Sequence, residues 1–238
     1  IRDRLRPAES MATARKNFKR LMLFLKQQEE QGIIEVCTYS DLKERFSYQP
    51  EHISKKDLIK VAENTITSGQ IVYDDLYSPA EVFASLAQSL IEFSGSGKLP
   101  GKLQRESPLG PMTMPPASPG LSSLTLDQAL SMAALASDTL RSKGHLPAYL
   151  SVDGKRIGCG SLLHLFSTIY LDISRGKQEQ SYEVLPFDTH PMENEQAIIS
   201  EVESYKDWIV HRPDLDMSHL VAMTRMQLWT LKPAHERK

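Results

Sequence analysis

The feature that most constrains this chain is a unit that occurs twice. Ser78-Pro79-Ala80-Glu81 combines an N-capping hydroxyl, a proline suited to the first helical position and an acid near the positive end of the helix dipole. Phe83, Leu86, Ala87, Leu90 and Phe93 follow as an apolar stripe, and the run stops at Gly95 to Gly97 before Lys98-Leu99-Pro100. Forty-seven positions after Ser78, Thr125-Leu126-Asp127-Gln128 opens a second such run, with Leu130, Ala133, Ala134 and Leu140 as its stripe. It stops at Gly144, and His145-Leu146-Pro147 repeats the exit. Matching caps, stripes and exits predict an internal duplication, in which neither helix buries its face alone and the copies pack on one another.

The copies diverge after Leu-Pro. The first leads into a Pro/Gly/Met-rich stretch over 105–120, expected to be an extended linker lying on the surface. The second leads into Tyr149-Leu150-Ser151-Val152, then Asp153-Gly154, then Lys155-Arg156-Ile157. Alternation on both sides of Asp-Gly predicts a β-hairpin. A third helix follows from Ser161, with Leu162, Leu165, Phe166, Ile169 and Ile173 on one side, and reads as a degenerate third copy.

The flanks are also helical in pattern. Phe18, Leu21, Met22 and Leu25 share a face over 14–28, Gly32 ends that run, and Ile33 to Tyr39 has the β-branched make-up of a strand. Ser40 is the expected cap of a short helix running to Phe46. Leu58, Val61, Ala62 and Ile66 define another helix, capped by Ser54 and stopped by Gly69. Two tail helices are expected over 195–210 and 218–231; in the latter, Leu220, Met223, Met226 and Leu231 form a stripe read as core. The fold class is therefore mainly α with small β elements. Its expected segments are a remnant α/β piece over 1–70, tandem helix repeats over 71–177 and a helical part over 178–238.

Chemistry is sparse. The seven histidines form no His-x-x-x-His or His-Glu-x-x-His pair, and no nucleophile elbow, Walker loop or dinucleotide fingerprint occurs. No catalytic residue and no metal ligand is assigned. The glycines from Gly154 to Gly160 are explained by a turn and a helix start, with phosphate cradling the weaker alternative. Cys37 and Cys159 are expected to be buried free thiols, with a single long-range bridge the alternative. A net charge of -2 with interspersed signs provides no basic field for nucleic acid, and no apolar run is long enough to span a bilayer. The start at Ile1 suggests a processed product or fragment.

The candidate binding residues are geometric: Lys98 and His145 at the same position of the repeat, and Tyr149, Lys155 and Arg156 on the hairpin. An aromatic face covers sugar C–H surface while cations hold polar groups, although solvated turn residues would look the same.

Two resemblances bear on function. The unit from Ser78 to Leu103, and more fully the stretch from Thr125 through Asp153-Gly154 to the third helix, resembles the pseudomurein-binding repeat, which implies attachment to a cell-wall polymer. The N-terminal segment, from Arg4-Leu5-Arg6-Pro7 through Asn17 to Met22 and on to Val36-Cys37-Thr38-Tyr39-Ser40-Asp41-Leu42, is similar to the closing helix and strand of a polysaccharide-deacetylase (NodB-like) barrel. That family holds a divalent metal through an Asp and two His in earlier motifs. Neither Thr-Phe-Asp-Asp nor His-x-x-x-His occurs here, so no catalytic residue transfers and no cofactor is assigned to this chain. Together these resemblances imply a non-catalytic accessory region, at the cell surface or outside the cell, holding a carbohydrate-active enzyme to a glycan. The alternatives are a structural or protein-interaction module without glycan affinity, expected then in the cytoplasm, and a complete metal-dependent deacetylase.

Overall fold

The computed structural model describes residues 8–46, 50–192, 195–207 and 214–233. Arg4 to Pro7 and the 208–210 end of the first expected tail helix, with Trp208, lie outside them. The chain divides into two compact units, residues 1–48 with 234–238, and residues 49–233.

The first unit contains two helices, α1 (Ala8–Glu30) and α2 (Tyr39–Phe46). Gly32 adopts a positive φ of 69° and ends α1 in a left-handed turn. The expected strand over 33–39 is absent: Ile33 to Val36 is irregular and mostly exposed, because among the described residues no neighbouring strand supplies a hydrogen-bonded ladder. Thr38, not Ser40, makes the start of α2. Its amide and hydroxyl bond Asp41 Oδ2 at 2.7 Å each, and its hydroxyl accepts the Asp41 amide at 3.2 Å. Of the expected apolar face of α1, Phe18, Leu21 and Met22 are more than 45% exposed and Leu25 is half-buried; Phe24, off that face, is exposed as well.

The second unit begins at Gln49, twenty-two residues earlier than the segment start expected at 71. The reason is a strand pair: β1 (His52–Ser54) is antiparallel to β2 (Lys102–Gln104), which places buried Ile53 opposite Leu103. Residues 50–70 therefore belong to the repeat region and not to the N-terminal piece. Between these strands lie α3 (Lys55–Ser68) and α4 (Pro79–Ser96). The same order then recurs. β3 (Ser123–Thr125) is antiparallel to β6 (Ser181–Glu183), setting buried Leu124 opposite Tyr182, and α5 (Leu126–Lys143) and α6 (Cys159–Ser174) lie between them.

The duplicated unit is thus strand–helix–helix–strand, and it is out of phase with the one expected from Leu-Pro. Its positions correspond closely. Ser54 and Thr125, seventy-one residues apart, are both the last strand residue and the N-cap, each accepting the amide three residues on. Four, seven, eight and eleven residues after these caps lie Leu58, Val61, Ala62 and Thr65 in α3, and Ala129, Met132, Ala133 and Ala136 in α5, all buried. Four, five, eight, nine and twelve residues after Ser78 and Gly158 lie Val82, Phe83, Leu86, Ala87 and Leu90 in α4, and Leu162, Leu163, Phe166, Ser167 and Tyr170 in α6, again all buried. Accordingly α6 is the second helix of the second copy and not a third copy.

Packing follows the same exchange. The first helix of each half lies on the second helix of the other, α3 on α6 and α5 on α4, while α4 and α6 meet in the middle. There the Phe83 and Phe166 rings sit 5.5 Å apart, tilted by 50°. One continuous core runs through both halves and includes Trp229 from the tail.

The tail adds α7 (Glu195–Ser204) and α8 (Ser218–Gln227), joined by a satellite cluster of Ile199, Val202, Met217 and Val221. A 3-10 turn, Leu228–Thr230, then inserts Trp229, whose indole nitrogen donates to the Thr189 carbonyl at 3.0 Å.

Candidate functional site

The predicted hairpin is present as β4 (Tyr149–Val152) and β5 (Lys155–Gly158). Asp153 and Gly154 take φ of 50° and 76°, the paired positive values a two-residue turn of this hand requires. Pairing sets Tyr149 opposite Gly158 and Ser151 opposite Arg156. Ile157 is fully buried, with Leu150 and Val152 packed against the same core. The alternation of side chains then puts Tyr149, Ser151 and Arg156 on the outward face.

On that face Arg156 lies over the Tyr149 ring, its guanidinium carbon 4.4 Å from the ring centroid. Among the described residues no carboxylate pairs with Arg156 or Lys155, and both are exposed. The hairpin is backed by the Pro-rich stretch. The Gly120 amide donates to the Arg156 carbonyl at 2.7 Å. Gly158 passes so close to Pro116 that a β-carbon there would fall 2.4 Å from the Pro116 oxygen. Residues 109–120 therefore run along the second half, but the stretch is not the surface linker expected: Pro108, Gly110, Pro111 and Pro115 are buried, and Gly110 abuts the Met226 carbonyl.

The structure brings together only part of the predicted set. Tyr149 and Arg156 stack, and Lys155 is adjacent at the hairpin tip. His145 is half-buried in a backbone exchange in which Leu109 donates to the Gly144 carbonyl and Leu146 donates to the Leu109 carbonyl, both at 2.9 Å. Its Nδ1 lies 2.8 Å from the Leu146 oxygen, a contact that puts the proton on that nitrogen. Lys98 is exposed after the left-handed Gly97. Lys98 and His145 do not share a repeat position. Lys98 follows the second helix of its half, where Lys177 is the counterpart, whereas His145 follows the first helix, where the counterpart is Gln70. Both sit beyond a left-handed glycine, which is why the sequence aligned them.

The glycines beyond the turn hold no phosphate cradle. Gly160 abuts the Asp188 carbonyl, which a β-carbon would approach to 1.7 Å, and Gly158 abuts that of Pro116. Carbonyl oxygens at both places repel an anion. Among the described residues no group of three or more His, Cys, Asp or Glu is arranged to hold a metal. Nor is any described helix long and apolar enough to cross a membrane.

Two further features were not legible in the sequence. Glu81, 3% exposed, accepts hydrogen bonds from Lys232 Nζ at 2.8 and 3.0 Å, Ser107 Oγ at 3.2 Å and the Ser78 amide at 2.9 Å, and is paired with Arg105. Burial opposes its ionisation, but the Lys232 and Ser78 hydrogen bonds and the Lys232 and Arg105 charges outweigh it, so the carboxyl sits below its ordinary value. This network ties the start of α4 to the linker and the tail. Second, the methionine stripe of α8 is not core. Met223 and Met226 are half-buried, and with Leu109, Met112, His219 and Leu231 they line a cavity of about 450 Å³. The buried residues are instead Val221, Leu228 and Trp229.

No family model, no curated protein and no solved structure matches this chain.

Proposed function

We propose that the duplicated unit is a non-catalytic accessory region that binds a glycan, a cell-wall polymer in the first instance, through the outward face of the β4–β5 hairpin. The observation that carries this reading is the Tyr149–Arg156 stack on a turn held from behind by residues 116–120. The part of the Tyr149 ring that stays exposed offers apolar surface to sugar C–H groups, and the guanidinium stacked over the ring supplies donors with less side-chain freedom to lose. The resemblance of 125–174 to the pseudomurein-binding repeat points the same way. Similarity of the N-terminal segment to a deacetylase barrel is the reason to read the partner as a carbohydrate-active enzyme. Any divalent metal would belong to that catalytic part.

The test is sedimentation of the full chain with insoluble isolated wall polymer. We expect retention, with Tyr149→Ala weakening it about tenfold, the order of one aromatic contact. Full recovery of the unaltered chain in the supernatant would overturn the reading. A protein-interaction role draws on a separate observation, the uncovered Phe18, Leu21, Met22 and Phe24 of α1. Polymer binding undiminished in a Phe18→Ser/Met22→Ser variant separates the two.

A further inference from the structure

We infer that the cavity between α8 and residues 109–112 is a site for a soft monovalent metal ion, Cu(I), held by the thioethers of Met112, Met223 and Met226 and the imidazole of His219. All four side chains line that cavity. His219, Met223 and Met226 follow one another at spacings of four and three along α8. Residues so spaced are neighbours on one helix face, with β-carbons about 5–6 Å apart. Met112 comes from the facing wall. Its place is fixed by the backbone two residues earlier, where buried Gly110 lies so close to α8 that a β-carbon would fall 2.1 Å from the Met226 carbonyl oxygen. Met223 and Met226 are half-buried, whereas Met112 and His219 are exposed, so the donors stand at an entrance that an ion can reach. Among the described residues His219 has no hydrogen-bond or ion-pair partner, which leaves its ring nitrogens to a ligand.

The donor set selects the ion. Thioether sulfur is uncharged and polarisable, and it favours Cu(I) over Mg(II) and Ca(II), which take oxygen ligands, and over Zn(II), which takes thiolate, imidazole and carboxylate. Among the described residues no Asp, Glu or Cys lines the cavity, so nothing there offsets a divalent charge. No lysine or arginine lines it to repel a cation: Arg225, on the same helix, is paired with Glu195, and Lys232 with Glu81. Methionine-rich surfaces also take up apolar molecules, because the side chain reshapes easily. That use makes no demand on His219 and survives the replacement of methionine by leucine. The same flexibility lets three thioethers from two walls close on one ion.

The test is equilibrium dialysis of the full chain, without oxygen, against Cu(I) kept reduced by ascorbate, and in parallel against Zn(II). Cys37→Ser is the reference chain, because an exposed thiol is itself a Cu(I) ligand. The reference chain should take up a single Cu(I) and leave Zn(II) behind. Met223→Leu/Met226→Leu, which nearly conserves volume, should weaken uptake about tenfold or more, since even the outer partners of metal ligands carry that much affinity. His219→Ala, at an exposed position, should weaken it on the same scale. X-ray absorption at the copper edge should show sulfur neighbours in the reference chain. Absence of Cu(I) uptake overturns the inference, and so does a copper shell of nitrogen and oxygen alone. Undiminished uptake by the double leucine variant overturns it too, and equal uptake of Zn(II) overturns the selectivity for a soft ion. Unchanged urea midpoints of the variants show that a loss is not unfolding. Where the leucine variant is destabilised, full Cu(I) affinity in His219→Ala overturns the site.

Discussion

The two strand–helix–helix–strand halves share their caps, their buried positions and their strand register, yet they seal the start of the second helix by opposite means. In the first half Ser78 caps α4, and Glu81 completes the reciprocal box while drawing in Arg105 and Lys232. In the second half the cap is Gly158, with no side-chain hydrogen bond, and the position of Glu81 is taken by buried Ser161. Chain is laid over that end instead, with Pro116 on Gly158 and Asp188 on Gly160. The first-half counterpart of Gly160 is Ala80, fully buried, so the same position accepts a β-carbon where no backbone crosses it. A charged cap occupies its surroundings with side chains that are already paired. A glycine cap leaves room for a strap, and the loop before it is five residues longer and projects as the hairpin. The half that gave up its electrostatic cap is the half that carries the candidate binding face.

The largest expected effect tests whether the halves fold as one. Phe166→Ala, at the contact with Phe83 between α4 and α6, should cost about 3–5 kcal/mol. Urea unfolding followed by tryptophan fluorescence and by circular dichroism should shift together. Divergence of the two signals would show the halves to be separate folding units. Next is the asymmetry of the caps. Glu81→Gln leaves Lys232 and Arg105 without their counter-charge and should cost about 3 kcal/mol. Because the folded-state pKa of Glu81 is lowered, its contribution is complete above the unfolded value of 4.5 and is lost as pH falls through the lower folded value. Denaturant midpoints of wild type and Glu81→Gln should therefore converge on acidification below 4.5, and a constant gap would refute the charge network. The smallest effect concerns what the halves share: Ser54→Ala and Thr125→Ala should each cost about 1 kcal/mol, and by similar amounts. Costs differing severalfold would mean that the caps are equivalent only in geometry.

Much of this architecture was written locally. Ser78 and Thr125 as caps, Gly69, Gly97 and Gly144 as left-handed stops, and Asp153-Gly154 as a turn all depend on a few adjacent residues, and all are present. The phase of the repeat was not local. It is set by strands of three residues, too short for any periodicity, whose partners lie about fifty residues away, as Ile53 does from Leu103. Leu99-Pro100 and Leu146-Pro147 advertised a match that belongs to helix exits in general, and so paired a second helix with a first. The expected strand at 33–39 failed for the converse reason: β-branched composition without a neighbour. For the site, hairpin residues were legible because alternation assigns faces. The stacking of Arg156 and its lack of an acidic partner depend on where the linker and tail place their own charges.

Cys159, at the first turn of α6, is wholly buried, and burial pushes its thiol far above the ordinary range. Cys37, in the other unit, is likewise free but exposed, against the burial expected of both thiols, because it lies in the irregular stretch that no described strand pairs with. The molecule therefore contains its own pair of clocks. An alkylating reagent reaches Cys37 at a rate set by the thiol's own chemistry, but reaches Cys159 only when the joined core of the two halves opens. The ratio of the two rates reads out the fraction of time that core is open, without any engineered label.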